Sequence, residues 1–96
     1  MSQLEGRTAV VTGAGRGIGE AIARTFAAAG AAVAVVSRTA SNATRTADAL
    51  NQSRPGCARA YAVDVADFAA CQAAAKAIAT DFGDKIDIVV NNAGVT

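Results

Sequence analysis

The stretch VVTGAGRGIGEAIA, residues 10–23, places four glycines between an apolar run and a segment with helical periodicity. Glycine weakens both strands and helices, because it loses more backbone freedom on folding than any other residue. The glycines at 13, 15, 17 and 19 therefore indicate a loop that turns tightly, or that another group must approach closely.

Outward from this loop, strands and helices are predicted to alternate. Short apolar, β-branched runs predict strands at 8–11, 32–36, 58–63 and 86–90. Apolar residues at steps of three and four predict helices at 17–29 and after Asp67, with a weaker helix at 42–52 between them. Because this alternation implies right-handed crossovers, we predict an α/β fold with a doubly wound parallel sheet and the order β-α-β-α-β-α-β.

Composition excludes several classes of function. The 96 residues suffice for at most one domain, and a net charge of +1 without charge blocks gives no sign of a nucleic-acid partner. The absence of histidine excludes a histidine base or metal ligand, and we expect no metal site. Cys57 and Cys71 form no CxxC pair, so free thiols in a reducing cytoplasm are expected. The chain shows no signal-peptide pattern and no apolar run long enough to span a membrane.

The position of the glycine loop suggests a phosphate ligand. In a doubly wound sheet, ligands bind at the carboxyl ends of strands where the strand order reverses, beside a helix N-terminus that favours anions. Gly13 would permit the tight turn. Gly17 and Gly19 would permit close contact between the loop, the ligand and the first turn of the helix. Ile18 occupies the third glycine position of the GxGxxG fingerprint, so an ordinary glycine-rich turn remains an alternative.

Three further motifs follow the other predicted strands. Ser37-Arg38 follows the second strand, Asp64-Val65 the third, and NNAG (91–94) the fourth. Since carboxyl ends of parallel strands share one edge of the sheet, all four motifs are expected on one rim.

Together, TGAGRGIG, Asp64-Val65 and NNAG resemble the short-chain dehydrogenase/reductase family over residues 7–94. The resemblance implies a Rossmann-type sheet with strand order 3-2-1-4. It implies that Asp64 accepts a hydrogen bond from the adenine amino group, with the Val65 backbone beside it. It also implies that Asn91 has a structural role and connects strand four to neighbouring backbone. The residues implied to bind pyrophosphate, and ribose near the nicotinamide, are Thr12, Gly13, Gly15, Arg16, Gly17, Ile18, Gly19, Ala93 and Gly94.

The end of the second strand favours NADP(H) over NAD(H). A free ribose 2′-hydroxyl calls for a carboxylate there, and this chain has Ser37 followed by Arg38. Arg16 could reach the same region, and guanidinium groups bind a 2′-phosphate well. A solvated Arg38 without a ligand is the alternative.

The resemblance implies hydride transfer between the cofactor and a small carbonyl or alcohol substrate, such as a 3-oxoacyl thioester. The family's catalytic Tyr-xxx-Lys pair and serine are not found, because Val65 stands four residues after the only tyrosine, Tyr61. We therefore expect residues 1–96 to be the N-terminal, cofactor-binding part of a longer cytoplasmic homo-oligomeric enzyme, with strand four as an exposed edge. The alternatives are a non-catalytic nucleotide-binding fragment and, less consistent with Ser37-Arg38, an S-adenosylmethionine-binding fold.

Overall fold

The structure, a computed structural model, describes residues 3–15 and 17–92, in which strands and helices alternate. The elements are β1 (Thr8–Thr12), α1 (Gly17–Ala28), β2 (Ala32–Ser37), α2 (Ala40–Ser53), β3 (Ala58–Ala62), α3 (Phe68–Asp81) and β4 (Ile88–Val90). All strand pairs are parallel and their order is β3-β2-β1-β4. The predicted fold class and strand order are confirmed.

The sheet is built around β1 and β2, whose Val- and Ala-rich strands are almost entirely buried. Continuous apolar runs of this kind are typical of parallel strands covered on both faces. At the centre, Val10 lies in register with Ala34 of β2 and with Val89 of β4.

The fourth strand is shorter than predicted and begins at Ile88 rather than Ile86. The Asp87 carboxylate accepts a hydrogen bond from the Thr8 N–H at 2.9 Å. A side chain, and not the backbone of β4, therefore pairs with the first N–H group of β1. Among the described strands β4 lies at the edge of the sheet, and Val89 is 67% exposed.

Helices α1 and α2 cover one face of the sheet. The residues of α1 that are buried are Gly19, Ala23 and Ala27, a stripe at steps of four that lets the helix lie close to the strands. Ile18, one of the residues whose spacing predicted α1, is 67% exposed. Small side chains therefore form the fully buried part of the contact with the sheet, and Ile22 and Phe26 pack against the same core while partly exposed.

Helix α3 covers the opposite face. The Asp67 carboxylate accepts the Ala70 N–H at 3.0 Å, which confirms the predicted cap. Ile78 packs against Val10, Val36 and the neighbouring strands, while Phe68 at the start of the helix is 76% exposed. Across the described ranges 3–15 and 17–92, no helix has the length and apolar character needed to cross a membrane.

Candidate cofactor-binding site

The carboxyl ends of the four parallel strands lie at one edge of the sheet, as the motifs predicted. The strands end at Thr12, Ser37, Ala62 and Val90. The predicted binding residues that lie at or after these ends in the described structure are Thr12, Gly13, Gly15, Gly17, Ile18, Gly19, Ser37, Arg38, Asp64, Val65 and Asn91. Arg16, Ala93 and Gly94 lie outside the described residues.

The glycines of the loop are needed for two different reasons. Gly13 and Gly17 have φ of +66° and +64°, in the left-handed region that costs other residues energy. Gly19 instead has no room for a side chain, since an added Cβ would lie 2.0 Å from the Gly13 carbonyl oxygen and 2.8 Å from Asn92 Nδ2. Apart from its chain neighbours and its own helix backbone, no described residue has an atom within 4 Å of the corresponding point on Gly17, which leaves room there at the start of α1.

Gly15 packs against the second β-α unit. A Cβ at this position would lie 2.6 Å from Ser37 Oγ and 2.7 Å from Asn42 Cβ. The loop is also tied to β2 by the Ala14 N–H, which donates to the Val36 carbonyl at 2.9 Å. The absence of a side chain at Gly15 therefore lets the loop lie against the protein itself.

Sequence analysis missed two donors that reach the loop from α2. Arg45 Nη2 donates to the Gly15 carbonyl oxygen at 2.7 Å, and Thr46 Oγ1 lies 3.3 Å from the same oxygen. Thr46 is fully buried. No motif marks these residues; the one available signal is a threonine among the alanines of the buried face of α2.

The Thr12 hydroxyl joins the ends of β1 and β4. It accepts the Asn92 N–H at 2.9 Å and lies 3.3 Å from the Val90 carbonyl oxygen and 3.2 Å from Asn91 Oδ1. Since Asn92 also stands beside Gly19, the NNAG motif contacts the glycine loop. Sequence analysis gave Asn92 no role of its own.

The end of β2 carries a buried serine and an exposed arginine. Ser37 Oγ accepts the Thr39 N–H at 3.3 Å, which orders the turn into α2. Arg38 is exposed and makes no ion pair with the part of the chain that the structure describes. The end of β2 therefore carries an exposed cation.

The end of β3 presents a carboxylate on a fixed turn. Asp64 Oδ1 accepts the Ala66 N–H at 2.9 Å, and the backbone oxygen of Asp64 accepts the Asp67 N–H at 2.9 Å. Asp64 and Val65 are both exposed. An exposed carboxylate accepts hydrogen bonds only, so it suits an amino group such as that of adenine.

Tyr61 lacks the properties of an acid–base catalyst. Its hydroxyl donates to Asp81 Oδ2 at 2.7 Å, and burial and this hydrogen bond raise the pKa of the phenol. A general base works best with a pKa near the working pH, so this shift is in the wrong direction. Within 3–15 and 17–92, no cluster of three or more His, Cys, Asp or Glu residues could hold a metal ion.

The described residues fit a phosphate-bearing ligand at the start of α1. This helix has twelve residues, and the N–H groups of its first turn have no partner within the helix, which suits an anion. Glu20 adds a negative charge in this turn, but Arg24 pairs with it at 2.8 Å. The ion pair reduces the repulsion that Glu20 would exert on an anion.

Comparisons with known proteins agree with this geometry. The model of the short chain dehydrogenase family matches residues 7–96. A D-threitol dehydrogenase from Mycolicibacterium smegmatis is 50% identical over 93 residues, which are 97% of this chain and 35% of that protein. The chain thus spans about a third of the length of the curated relatives it matches.

Solved structures show the same fold. A hydroxysteroid dehydrogenase from Escherichia coli superposes with a TM-score of 0.91 and 42% identity, over 96% of this chain and 38% of that one. A 3-ketoacyl-(acyl-carrier-protein) reductase from Brucella melitensis complexed with NADH has a TM-score of 0.82 and 41% identity, over 90% of this chain and 33% of that one. The matched family, the identities and the shared fold together show that the chain belongs to the short-chain dehydrogenase/reductase family.

Proposed function

We propose that this chain binds NADP(H) across the carboxyl edge of its sheet and forms the cofactor-binding part of an oxidoreductase. The observation that carries the proposal is the glycine loop, which turns at Gly13 and Gly17 and, among the described residues, leaves room for a ligand beside Gly17 at the N-terminus of α1. In this arrangement the pyrophosphate lies over the loop, and Asp64 accepts a hydrogen bond from the adenine amino group. The family binds nicotinamide dinucleotides, which supports this assignment.

The preference for the 2′-phosphate rests on the end of β2. Ser37 stands where a carboxylate would bind a free 2′-hydroxyl, and the exposed Arg38 follows it. One hydrogen bond between a guanidinium and a phosphate is worth about 1.5–3 kcal/mol, or about a tenfold to hundredfold preference. The NADH bound to the Brucella melitensis reductase shows that related sites also accept the cofactor without this phosphate.

The proposed reaction is hydride transfer between NADP(H) and a carbonyl or alcohol substrate. The cofactor supplies the hydride, and the residues described here bind and orient it. Similarity to the reductase favours a 3-oxoacyl thioester as substrate, whereas the 50% identity to D-threitol dehydrogenase favours a polyol as second candidate.

Titration of the full-length polypeptide with NADPH and NADH, followed by nicotinamide fluorescence, tests the cofactor assignment. We expect the substitution Arg38→Asp to weaken NADPH binding about tenfold to hundredfold while changing NADH binding little. Arg59→Asp is the matched control, because Arg59 is also exposed but lies in β3 near its amino end. Equal losses for both cofactors would contradict the assignment, and competition by S-adenosylmethionine would favour a different ligand.

Oxidation of NADPH in the presence of a 3-oxoacyl thioester, compared with reduction of NADP⁺ by a four-carbon polyol, separates the two substrate candidates. Turnover of either one supports an enzyme and identifies the substrate class. Tight NADPH binding without turnover of any carbonyl or alcohol would instead support a non-catalytic nucleotide-binding protein.

A further inference from the structure

We propose that Arg45 and Thr46 are positioning residues for the cofactor, which hold the glycine loop in its binding conformation through the Gly15 carbonyl. This inference rests on the proposed function, because it concerns the same loop. Neither residue follows a strand end, and both act from the second turn of α2.

Both donors converge on one oxygen. Arg45 Nη2 lies 2.7 Å from the Gly15 oxygen, a short distance typical of a charge-assisted hydrogen bond. Thr46 Oγ1 lies 3.3 Å from it, on a residue without solvent exposure. A carbonyl oxygen has two lone pairs and can accept both bonds. Both lone pairs of the Gly15 oxygen can therefore accept hydrogen bonds from α2.

The two hydrogen bonds from Arg45 and Thr46 restrain more of the loop than the Gly15 oxygen alone. A peptide unit is planar, so holding its oxygen fixes the orientation of the whole unit. Ser37 and Asn42 add to this by packing against Gly15, at the place where a Cβ would lie. The loop is thus braced on the α2 side, and within the described part of the chain there is room for a ligand beside Gly17, where the ligand is proposed to lie.

Bracing the loop affects affinity through the fraction of molecules that are ready to bind. If the loop samples other conformations without the pair, the apparent Kd rises by the inverse of the fraction that remains competent. NADPH and NADH share the pyrophosphate, so both should lose affinity by the same factor. Arg38, by contrast, is proposed to distinguish them.

The test compares Thr46→Val with Thr46→Ser in the full-length polypeptide, using NADPH and NADH as probes. Valine removes only the hydroxyl, and we expect it to raise both Kd values about twofold to tenfold with an unchanged ratio. Serine keeps the hydroxyl and should restore binding. Thr25→Val is the matched control, since the Thr25 hydroxyl also donates to a backbone carbonyl, that of Ala21 at 2.9 Å, but Thr25 is an exposed residue of α1.

Arg45→Gln is the second variant, and it keeps the test decisive if Thr46→Val fails to fold. We expect it to weaken NADPH and NADH equally, which would support a positioning role. Loss of NADPH binding alone would show direct contact with the 2′-phosphate and would overturn that role for Arg45. Unchanged binding by both variants would overturn the inference, whereas a wild-type protein that binds neither cofactor would overturn the proposed function itself.

Discussion

The two faces of the sheet differ in how completely their helices cover them. On the face of α1 and α2, the strand residues Val11, Val33 and Val35 have no solvent exposure, and Leu50 packs against them. On the face of α3, an open apolar groove reaches from Val65 to Val89, which are 46% and 67% exposed.

This difference coincides with the division of labour proposed for the site. The glycine loop is braced by residues of the closed face: α2 holds Gly15, and the start of α1 lies against Gly13. The open face and the β4 edge contribute Asn91 and Asn92, which contact Thr12. The part of the rim proposed to hold the pyrophosphate therefore lies on the more completely packed face, whereas Val65, next to the proposed adenine contact Asp64, lines the open groove.

The substitution with the largest expected effect is Gly19→Ala, which tests how tightly the closed face holds the loop. The new Cβ would lie 2.0 Å from a backbone oxygen, so α1 must move away from β1. We expect a loss of more than about 3 kcal/mol in the free energy of unfolding, at the upper end for a single substitution. Denaturant unfolding measures it.

Gly17→Ala is the control for this prediction. Its Cβ meets no atom of the described residues within 4 Å beyond its own neighbours, so we expect the strain of the left-handed backbone to dominate, about 1–2 kcal/mol. Equal effects at the two positions would show that conformation, rather than close packing, explains both glycines.

Truncation of one large apolar side chain from the helices on each face compares the two faces directly. Leu50→Ala removes a side chain that is 4% exposed on the closed face, and we expect a loss of about 2–5 kcal/mol. Phe68→Ala removes one that is 76% exposed at the start of α3, and we expect a change below about 0.5 kcal/mol. A large effect of Phe68→Ala in thermal or chemical unfolding would mean that another segment or molecule covers this side chain.

Helix caps offer a smaller contrast between the faces. The Asp67 carboxylate caps α3, whereas Thr39 at the start of α2 makes no side-chain cap. We expect Asp67→Ala to cost about 1 kcal/mol in the free energy of unfolding and Thr39→Ala clearly less. The opposite order would show that α3 is anchored by its packing and not by its cap.

The sequence predicted the parts of this arrangement that depend on local patterns. The alternation of elements and the motifs at 37–38, 64–65 and 91–92 follow from neighbouring residues, as does the cap at Asp67. The contacts of the loop with α2 join residues about thirty positions apart, and no periodicity marks them. Gly15 shows this limit well: its place in the pattern was visible, but the reason, its contact with Ser37, was not.

The smallest predicted effect is a change in stability at low pH, caused by protonation of Asp87 beside β4. The hydrogen bond from the Thr8 N–H lowers the pKa of Asp87, and the charges of Lys85 and Arg7 add to this. A lowered pKa in the folded state means that the carboxylate stabilises the fold above its unfolded pKa, near 4, and that this contribution is lost as the pH falls through the folded value. We therefore expect Asp87→Asn to reduce the melting temperature at neutral pH, with a smaller difference from wild type at pH near 2. A difference in melting temperature between the two proteins that stays the same from neutral pH to pH near 2 would show that the Asp87 charge does not help to attach β4 to β1.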